Sequence, residues 1–403
     1  SALSLYIVRR IFPLKKVAII GVGSSRFGVR NDVNMAELVF EAFKPSVEDA
    51  GISPKDIEFL AFGSAGAGVW CEEFLPAVVA AEYCGLTGAG IVRCEAACAS
   101  GSASFLAAYW AVASGQVDVA AAIGFEKMRQ ISTSAAMEWI GRAGYYLWEF
   151  HNFGATFPAY YALYARAYMD MYGATEEDLA LVAVKNHKYG SMNPLAHLQR
   201  RITVEEVLAS PVVAAPLKLL DCCPISDGAV SIIIASEDKL KELKVDTPVW
   251  VAGVGYASET ASIGKRPEYL GFKSSVTAAQ KAYKMAKITP EQLDLAEVHD
   301  CFTIAEIMAY EDLGFCKKGE GYKLLRDGQT EIGGKIPVNV DGGLKAKGHP
   351  IGATGCSMIY ELTKQLREEA SNEGRQVPMR NYLALAHNMG GTGHYCYVTV
   401  LRR

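Results

Sequence analysis

Four short stretches of the chain hold residue types able to move acyl groups. "EAACASGSAS", residues 95–104, sets Cys98 among alanine, serine and glycine. "VHDCFTIAE", residues 298–306, places His299 and Cys301 two positions apart. "GGLKAKGHPIGATG", residues 342–355, surrounds His349 with five glycines and a proline. "HNMGGTG", residues 387–393, presents a glycine run behind His387. A thiol at the start of a helix feels the positive end of the helix dipole, which favours thiolate. Unpaired amides there can receive an oxyanion, and small neighbours leave room for a thioester. A histidine held by a glycine loop beside a helix start could take the thiol's proton. Each motif also has a structural reading: Cys98 and Cys301 as packed small groups, His299 as a hydrogen-bonded core histidine, the two glycine loops as turns.

These residues need a scaffold that brings distant segments together. Val17–Val22 is a β-rich run, and Met35–Ala50 reads as a helix capped by Asn34 and stopped by Gly51. Ile57–Gly63 and Gly90–Cys94 read as strands, with a helix over 74–84 between them. Phe105, Ala108, Tyr109 and Val112 recur at helical spacing, and Val117–Gly124 is a buried strand. This alternation predicts a mainly parallel sheet covered on both faces. Residues 126–220 are rich in aromatics and methionine and read as a helical insertion, with Thr175 and Asp178 forming a capping box. From Val249 the order begins again: strand 249–254, helix 274–286, strand 294–298, helix 303–313, a helix from about Cys356, and two closing strands. Small-residue loops, Ala97–Ser104 and Gly348–Gly355, open a helix in each half. That predicts a duplicated α/β unit with the loops facing each other.

Composition narrows the function classes. The 403 residues carry a net charge of -4, which argues against a nucleic-acid partner. "GVGSSRFG" lacks the third glycine of a dinucleotide fingerprint, since Arg26 stands there. Phe105–Phe125 is broken by Gln116 and Asp118, so no membrane span is expected. The start of the chain reads as a short lead-in to the first strand rather than a targeting segment. Ten scattered cysteines suggest free thiols in a reducing cytoplasm, and they show no metal-ligand spacing, so no metal is expected. Cys222 and Cys223, adjacent in sequence, read as packing residues.

Together the four motifs resemble the thiolase family in order, spacing and context, from about Lys15 to the C-terminus. "GGLKAKGHPIGATG" is the most specific of them. The HDCF form at 299–302 is similar to thiolases of the sterol-carrier-protein type and to archaeal acetyl-CoA acetyltransferases; bacterial biosynthetic enzymes have asparagine and glutamate there. The resemblance implies an α/β fold of duplicated βαβαβαββ halves, layered α-β-α-β-α. The expected division is 1–240, including a loop domain at about 126–220, and 241–403.

The resemblance also implies roles. Cys98 would be the acylated nucleophile and His349 the base that activates it and then helps hold the second thioester's oxygen. His299 would orient a water in that oxyanion hole, and Cys301 would move a proton at the α-carbon. The backbone N–H groups of Cys98 and of the Met389–Gly390 region would form a second oxyanion hole. His151 and His387 are candidates for the substrate channel, His387–Met389 standing where biosynthetic enzymes have Cys-x-Gly. The implied activity is an acetyl-CoA C-acetyltransferase: Claisen condensation of two acetyl-CoA to acetoacetyl-CoA plus CoA, and the reverse thiolysis, feeding mevalonate synthesis. Alternatives are a degradative thiolase for longer or steroid-derived 3-oxoacyl-CoA, a 3-hydroxy-3-methylglutaryl-CoA synthase, and a non-catalytic acyl-CoA-binding scaffold. No tightly bound cofactor is implied. The implied partners are a second copy of the chain, as homodimer or tetramer, and a complex with 3-hydroxy-3-methylglutaryl-CoA synthase and a small zinc-ribbon/OB-fold protein.

Overall fold

The structure, a computed structural model, describes residues 14–403; the lead-in expected before the first strand lies outside them. Its strands are β1 (Val17–Ser24), β2 (Phe59–Gly63), β3 (Gly90–Cys94), β4 (Val119–Lys127), a two-stranded ribbon β5 (Val212–Ala214) and β6 (Leu217–Lys218), then β7 (Asp227–Ser236), β8 (Val249–Ser258), β9 (Leu295–Val298), β10 (Leu383–Gly390) and β11 (Tyr395–Arg402). Outside the ribbon they form one sheet in the order β3-β2-β4-β7-β1-β8-β11-β10-β9. The two halves join through two residue pairs, Ala18 with Trp250 and Ile19 with Val249.

The sheet is mixed, which corrects the expectation of a mainly parallel one. β2 runs parallel to β3 and β4, and β9 to β10, whereas the other pairings are antiparallel. The reason is the connections. Parallel neighbours need a long crossover, and the helices between β2, β3 and β4 supply it. The turn from β10 to β11 spans residues 391–394 and can only reverse the chain.

The helices that matter to the site are α1 (Met35–Ala50), α2 (Ser100–Ala113), α3 (Phe157–Tyr172), α4 (Glu176–Gly190), α5 (Lys273–Ala286), α6 (Thr303–Asp312), α7 (Gly343–Ala346) and α8 (Thr354–Leu366). α1 has the expected caps: the Asn34 side chain accepts from Glu37 N–H, Glu37 returns to the Asn34 N–H, and Gly51 is left-handed at φ 65°. On α2 the predicted face, Phe105, Ala108, Tyr109 and Val112, is buried. In the insertion α3 buries Tyr160, Tyr161, Tyr164 and Tyr168, and the Thr175–Asp178 capping box opens α4. No helix among the described residues is long and apolar enough to cross a membrane.

Two glycine pairs show the duplication at atomic scale. A Cβ on Gly21 of β1 would stand 2.1 Å from the Ser46 carbonyl of α1; one on Gly255 of β8 would stand 1.9 Å from the Ala278 carbonyl of α5. Each strand is bare so that its helix can lie directly on it, which gives the glycines of "GVGSSRFG" a packing role. α1 thus covers the outer face of one half and α5 that of the other. α2 and α8 lie between, in contact with each other; α2 packs on β2, β4 and β7, and α8 reaches β9 and β10 as well as β7. This is the α-β-α-β-α layering, and the site forms where the central helices begin.

Candidate active site

Two strand-to-helix connections and one helix-to-helix connection converge. Cys98 sits on the tight turn Ala97–Ala99 between β3 and α2, with Ala97 forced to φ 50°. His299 and Cys301 lie between β9 and α6, and His349 lies between α7 and α8. Their side chains are buried. The Cys98 sulfur and one ring nitrogen each of His299 and His349 all lie within 4.8 Å of one another. Such connections at the ends of strands place reactive groups beside unpaired helix amides.

Burial sets the resting charge. It pushes the Cys98 thiol up to about 12, while the amide of Gly391 pulls it back. It lowers His349 to about 3 and His299 well below its ordinary value, with His349 and His387 adding to the effect on His299. The resting pair is therefore a neutral thiol beside a neutral imidazole. Cys301 is also held as a thiol, raised by burial and by Cys223, with the Tyr161 hydroxyl beside it acting in the opposite sense.

Each ring is fixed from behind. His349 Nδ1 is 2.6 Å from Thr354 Oγ1, which donates to the Pro350 carbonyl at 3.2 Å. His299 Nδ1 is 3.1 Å from the side-chain nitrogen of Asn388. The Nε2 atoms of both histidines are buried without a protein partner. Asp300 ties the HDCF segment to the His349 loop. It accepts from Leu344 N–H at 2.7 Å, Lys345 N–H at 3.1 Å and Asn186 Nδ2 at 2.7 Å.

A cavity of about 70 Å³ opens beside these groups. Cys98, Cys301 and His349 line it together with Met128, Met137, Ile140, Phe157, Phe302 and Ile351. Cys223 also lines it, and its N–H donates to the Cys301 carbonyl at 3.0 Å, so its packing reading was incomplete.

The other expected groups stand apart from this cavity. His387 does not line the cavity: it is buried inside β10 with Nε2 2.8 Å from Ser275 Oγ on α5. His151 is exposed on the turn Tyr146–His151, its ring 5.8 Å from that of Tyr146, and is likewise absent from the lining. The Met389 N–H faces His299 Nδ1 at 3.4 Å, and Gly390 lies in the ladder opposite Tyr395. The amides that ease the Cys98 thiolate are those of Cys98 itself and of Gly391, one step further along, where the strand gives way to the turn.

Sequence reasoning missed Asn388, Thr354, Asp300 and Tyr161. For Asn388 a signal existed. Side chains alternate along a strand, and His387 and Met389 both contact Ser275. The residue between them must face the other way, into the site.

Residues 17–238 match the family model "Thiolase, N-terminal domain", and residues 255–403 match "Thiolase C-terminal domain-like". The chain is 43% identical to an acetyl-CoA acetyltransferase of Methanothermobacter thermautotrophicus, covering 97% of this chain and 100% of that one. It is 40% identical to an acetyl-CoA acetyltransferase of Methanocaldococcus jannaschii, covering 96% and 99%. Among solved structures it is similar to an "Ltp2-ChsH2(DUF35) aldolase", with a TM-score of 0.81, 26% identity, and coverage of 97% and 98%.

Proposed function

The chain belongs to the thiolase family, and from that premise we propose that it is an acetyl-CoA C-acetyltransferase whose Cys98 carries the acetyl group. The observation that carries the site assignment is the meeting of Cys98 sulfur, His299 and His349 within 4.8 Å.

The neutral resting state dictates an order of proton movements. Cys98 attacks the thioester carbonyl of acetyl-CoA as His349 Nε2 takes its proton. The oxyanion faces the amides of Cys98 and Gly391. As the tetrahedral adduct collapses, the C–S bond to CoA breaks, and Cys301 gives its proton to the departing CoA thiolate. The centre now holds acetyl-Cys98, a protonated His349 and a Cys301 thiolate, two opposite charges that support each other out of water. A second acetyl-CoA places its carbonyl against His299 and His349. Cys301 removes the α-proton, and the enolate attacks acetyl-Cys98. Collapse releases acetoacetyl-CoA and the Cys98 thiolate, which recovers its proton from His349. Every proton is returned, and the reverse sequence is thiolysis.

The small apolar cavity supports a short acyl group over the longer or steroid-derived chains of a degradative thiolase. The intact set Cys98, His299, Cys301 and His349 supports an enzyme over a scaffold. β3 is an unpaired sheet edge with mostly exposed residues, beside exposed Phe74, Leu75 and Val78. An edge of this kind supports assembly with a second copy. The complex with 3-hydroxy-3-methylglutaryl-CoA synthase and a small zinc-ribbon/OB-fold protein, the mevalonate role and the cytoplasmic location belong to the same reading.

The test is mass spectrometry of the protein mixed with acetyl-CoA, beside thiolysis of acetoacetyl-CoA by CoA. Wild type is expected to carry one acetyl group on Cys98 and to turn over. Cys98→Ala should do neither. Cys301→Ala should keep acetylation in a single slow turnover and lose steady-state activity. A wild-type protein that never acetylates at Cys98 sinks the reading.

A further inference from the structure

The two histidines beside Cys98 are not interchangeable. We propose that Asn388 is a positioning residue that holds His299 in the tautomer with its proton on Nε2, so that His299 serves the centre as a donor while His349 serves as its base. The inference rests on the acyl-transfer reading of the Cys98 centre.

The Asn388 amide is fully buried. Its side-chain nitrogen is 3.1 Å from the Cys98 carbonyl oxygen, and Ser102 Oγ lies 2.8 Å from its side-chain oxygen. A carbonyl can only accept, so the NH2 end must face Cys98. Turning the amide over would set two acceptors against each other. The NH2 group has two protons. One goes to Cys98, and the other points at His299 Nδ1, 3.1 Å away. The Met389 N–H faces the same ring nitrogen at 3.4 Å. With two donors aimed at it, Nδ1 must be the acceptor, and the proton of the neutral ring resides on Nε2. That atom is buried, has no protein partner, and belongs to the ring that meets His349 and Cys98.

His349 is set the other way. The Thr354 hydroxyl donates to the Pro350 carbonyl at 3.2 Å, which leaves Oγ1 free to accept from His349 Nδ1 at 2.6 Å. Only that order makes both hydrogen bonds, and it leaves a lone pair on Nε2. One ring thus carries N–H on its unpartnered nitrogen and the other a lone pair. A thiol proton can move to only one of them, and a thioester oxygen is received by the other. His299 is also kept from a second proton by burial and by the neighbouring His349 and His387 rings. The same arrangement bears on the zinc-like donor set of one cysteine and two histidines. With a proton on Nε2 and two donors on Nδ1, His299 has no free lone pair for a cation and favours an oxyanion at Nε2.

The test is nitrogen-15 NMR of the intact protein labelled in histidine, which separates the two neutral tautomers by the couplings of each ring. Wild type is expected to show His299 with Nε2 protonated and His349 with Nδ1 protonated. Asn388→Asp presents only acceptors to Nδ1 and should move the His299 proton there. Asn388→Ala should leave His299 as a mixture. In both variants kcat for condensation should fall by about 10²–10³, the scale of one lost oxyanion donor. Acetylation of Cys98 should change by much less, because His349 is untouched. A wild-type His299 protonated on Nδ1 overturns the inference. So does a folded Asn388→Asp with an unchanged tautomer. If both variants fail to fold, the wild-type spectrum decides alone. The spectrum reads out without turnover, so failure of the acyl-transfer reading, seen as no acetyl-Cys98, is distinguishable from failure of this one.

Discussion

Gly355 lies so close to Ser102 that a Cβ on it would stand 2.2 Å from the Ser102 amide nitrogen. It would also stand 2.6 Å from the Asn388 side-chain oxygen that Ser102 holds. This crossing of α2 and α8 joins the two halves of the chain directly beneath Cys98 and His349. Gly355→Ala cannot be absorbed by a side-chain rotation, because the nearest obstacle is backbone. We expect it to cost about 3 kcal/mol or more and to lower activity, since Ser102, Asn388 and the start of α8 must part. Gly68→Ala is the control: its nearest neighbour would be the Glu73 carbonyl at 3.8 Å, and a change within about 0.5 kcal/mol is expected. Thermal melts of both variants check this. A Gly355→Ala protein as stable and active as Gly68→Ala would remove the close crossing from the account.

Asp300 stands between His299 and Cys301 yet faces away from the cavity. Three donors end on its carboxylate, from Leu344, Lys345 and Asn186. Asp300→Ala strands all three in a dry interior, at about 1–3 kcal/mol for each group left unpaired. Because Leu344 and Lys345 start α7, whose end leads to His349, kcat should drop along with the melting temperature. The Asp300 carboxyl itself is raised to about 8 by burial and by Glu306. The folded state therefore binds the proton more tightly than the unfolded one. Its contribution to stability is full below about pH 4 and declines as pH rises towards 8. Denaturant midpoints of wild type and Asp300→Asn across pH 5–9 should converge as pH rises; parallel curves would contradict the raised value.

His387 titrates in the opposite sense. Burial lowers it to about 3, so the unfolded chain takes up a proton near pH 6.5 that the folded chain refuses. Wild type should lose stability relative to His387→Gln as pH falls from about 6.5 towards 3. The full effect of one proton is about 1.4 kcal/mol per pH unit. Above pH 7 the difference should be flat. Urea unfolding of both proteins at a series of pH values measures it, and a constant difference down to pH 4 would refute the buried neutral state.

Tyr161 reaches the site from the insertion. Its hydroxyl donates to the Gly391 carbonyl at 3.0 Å while Cys301 is a thiol, and can turn its proton to the neighbouring Cys301 sulfur once that ionises. Tyr161→Phe keeps the ring packing on Phe302, 4.7 Å between centroids, and removes only the oxygen. Cys301 should then need higher pH to react. In a Cys98→Ser background, the alkylation rate of Cys301 is expected to rise at higher pH in Tyr161→Phe than with Tyr161 present, and condensation should slow more than acetylation. Superimposable alkylation profiles would remove Tyr161 from any part in the proton transfer.

Much of this molecule was legible along the chain because the signals were local. Asn34 caps α1 since an amide oxygen immediately before a periodic apolar run meets the N–H three residues on, and Gly51 ends it since a left-handed position favours glycine. The capping box at Thr175, the apolar face of α2 and the start of the second half at Val249 are readable for the same reason. Cys98, His299, Cys301 and His349 could be singled out because each stands in a motif of unusual composition shortly before a helix.

What the chain order could not supply was everything that depends on two segments meeting. The mixed sheet follows from how connections pair strands, and a run of apolar residues does not state its direction. That the Gly391 amide bears on the Cys98 sulfur is decided by where β10 leaves its ladder. Which nitrogen of a histidine carries the proton depends on Asn388 for one ring and Thr354 for the other; Asn388 lies 89 positions from His299 in sequence and 3.1 Å away in space. The sequence by itself determined which groups are available to react, because that is composition and local periodicity. Only the tertiary structure decided their protonation and partners, because hydrogen bonds and desolvation are set by neighbours that folding brings from elsewhere in the chain.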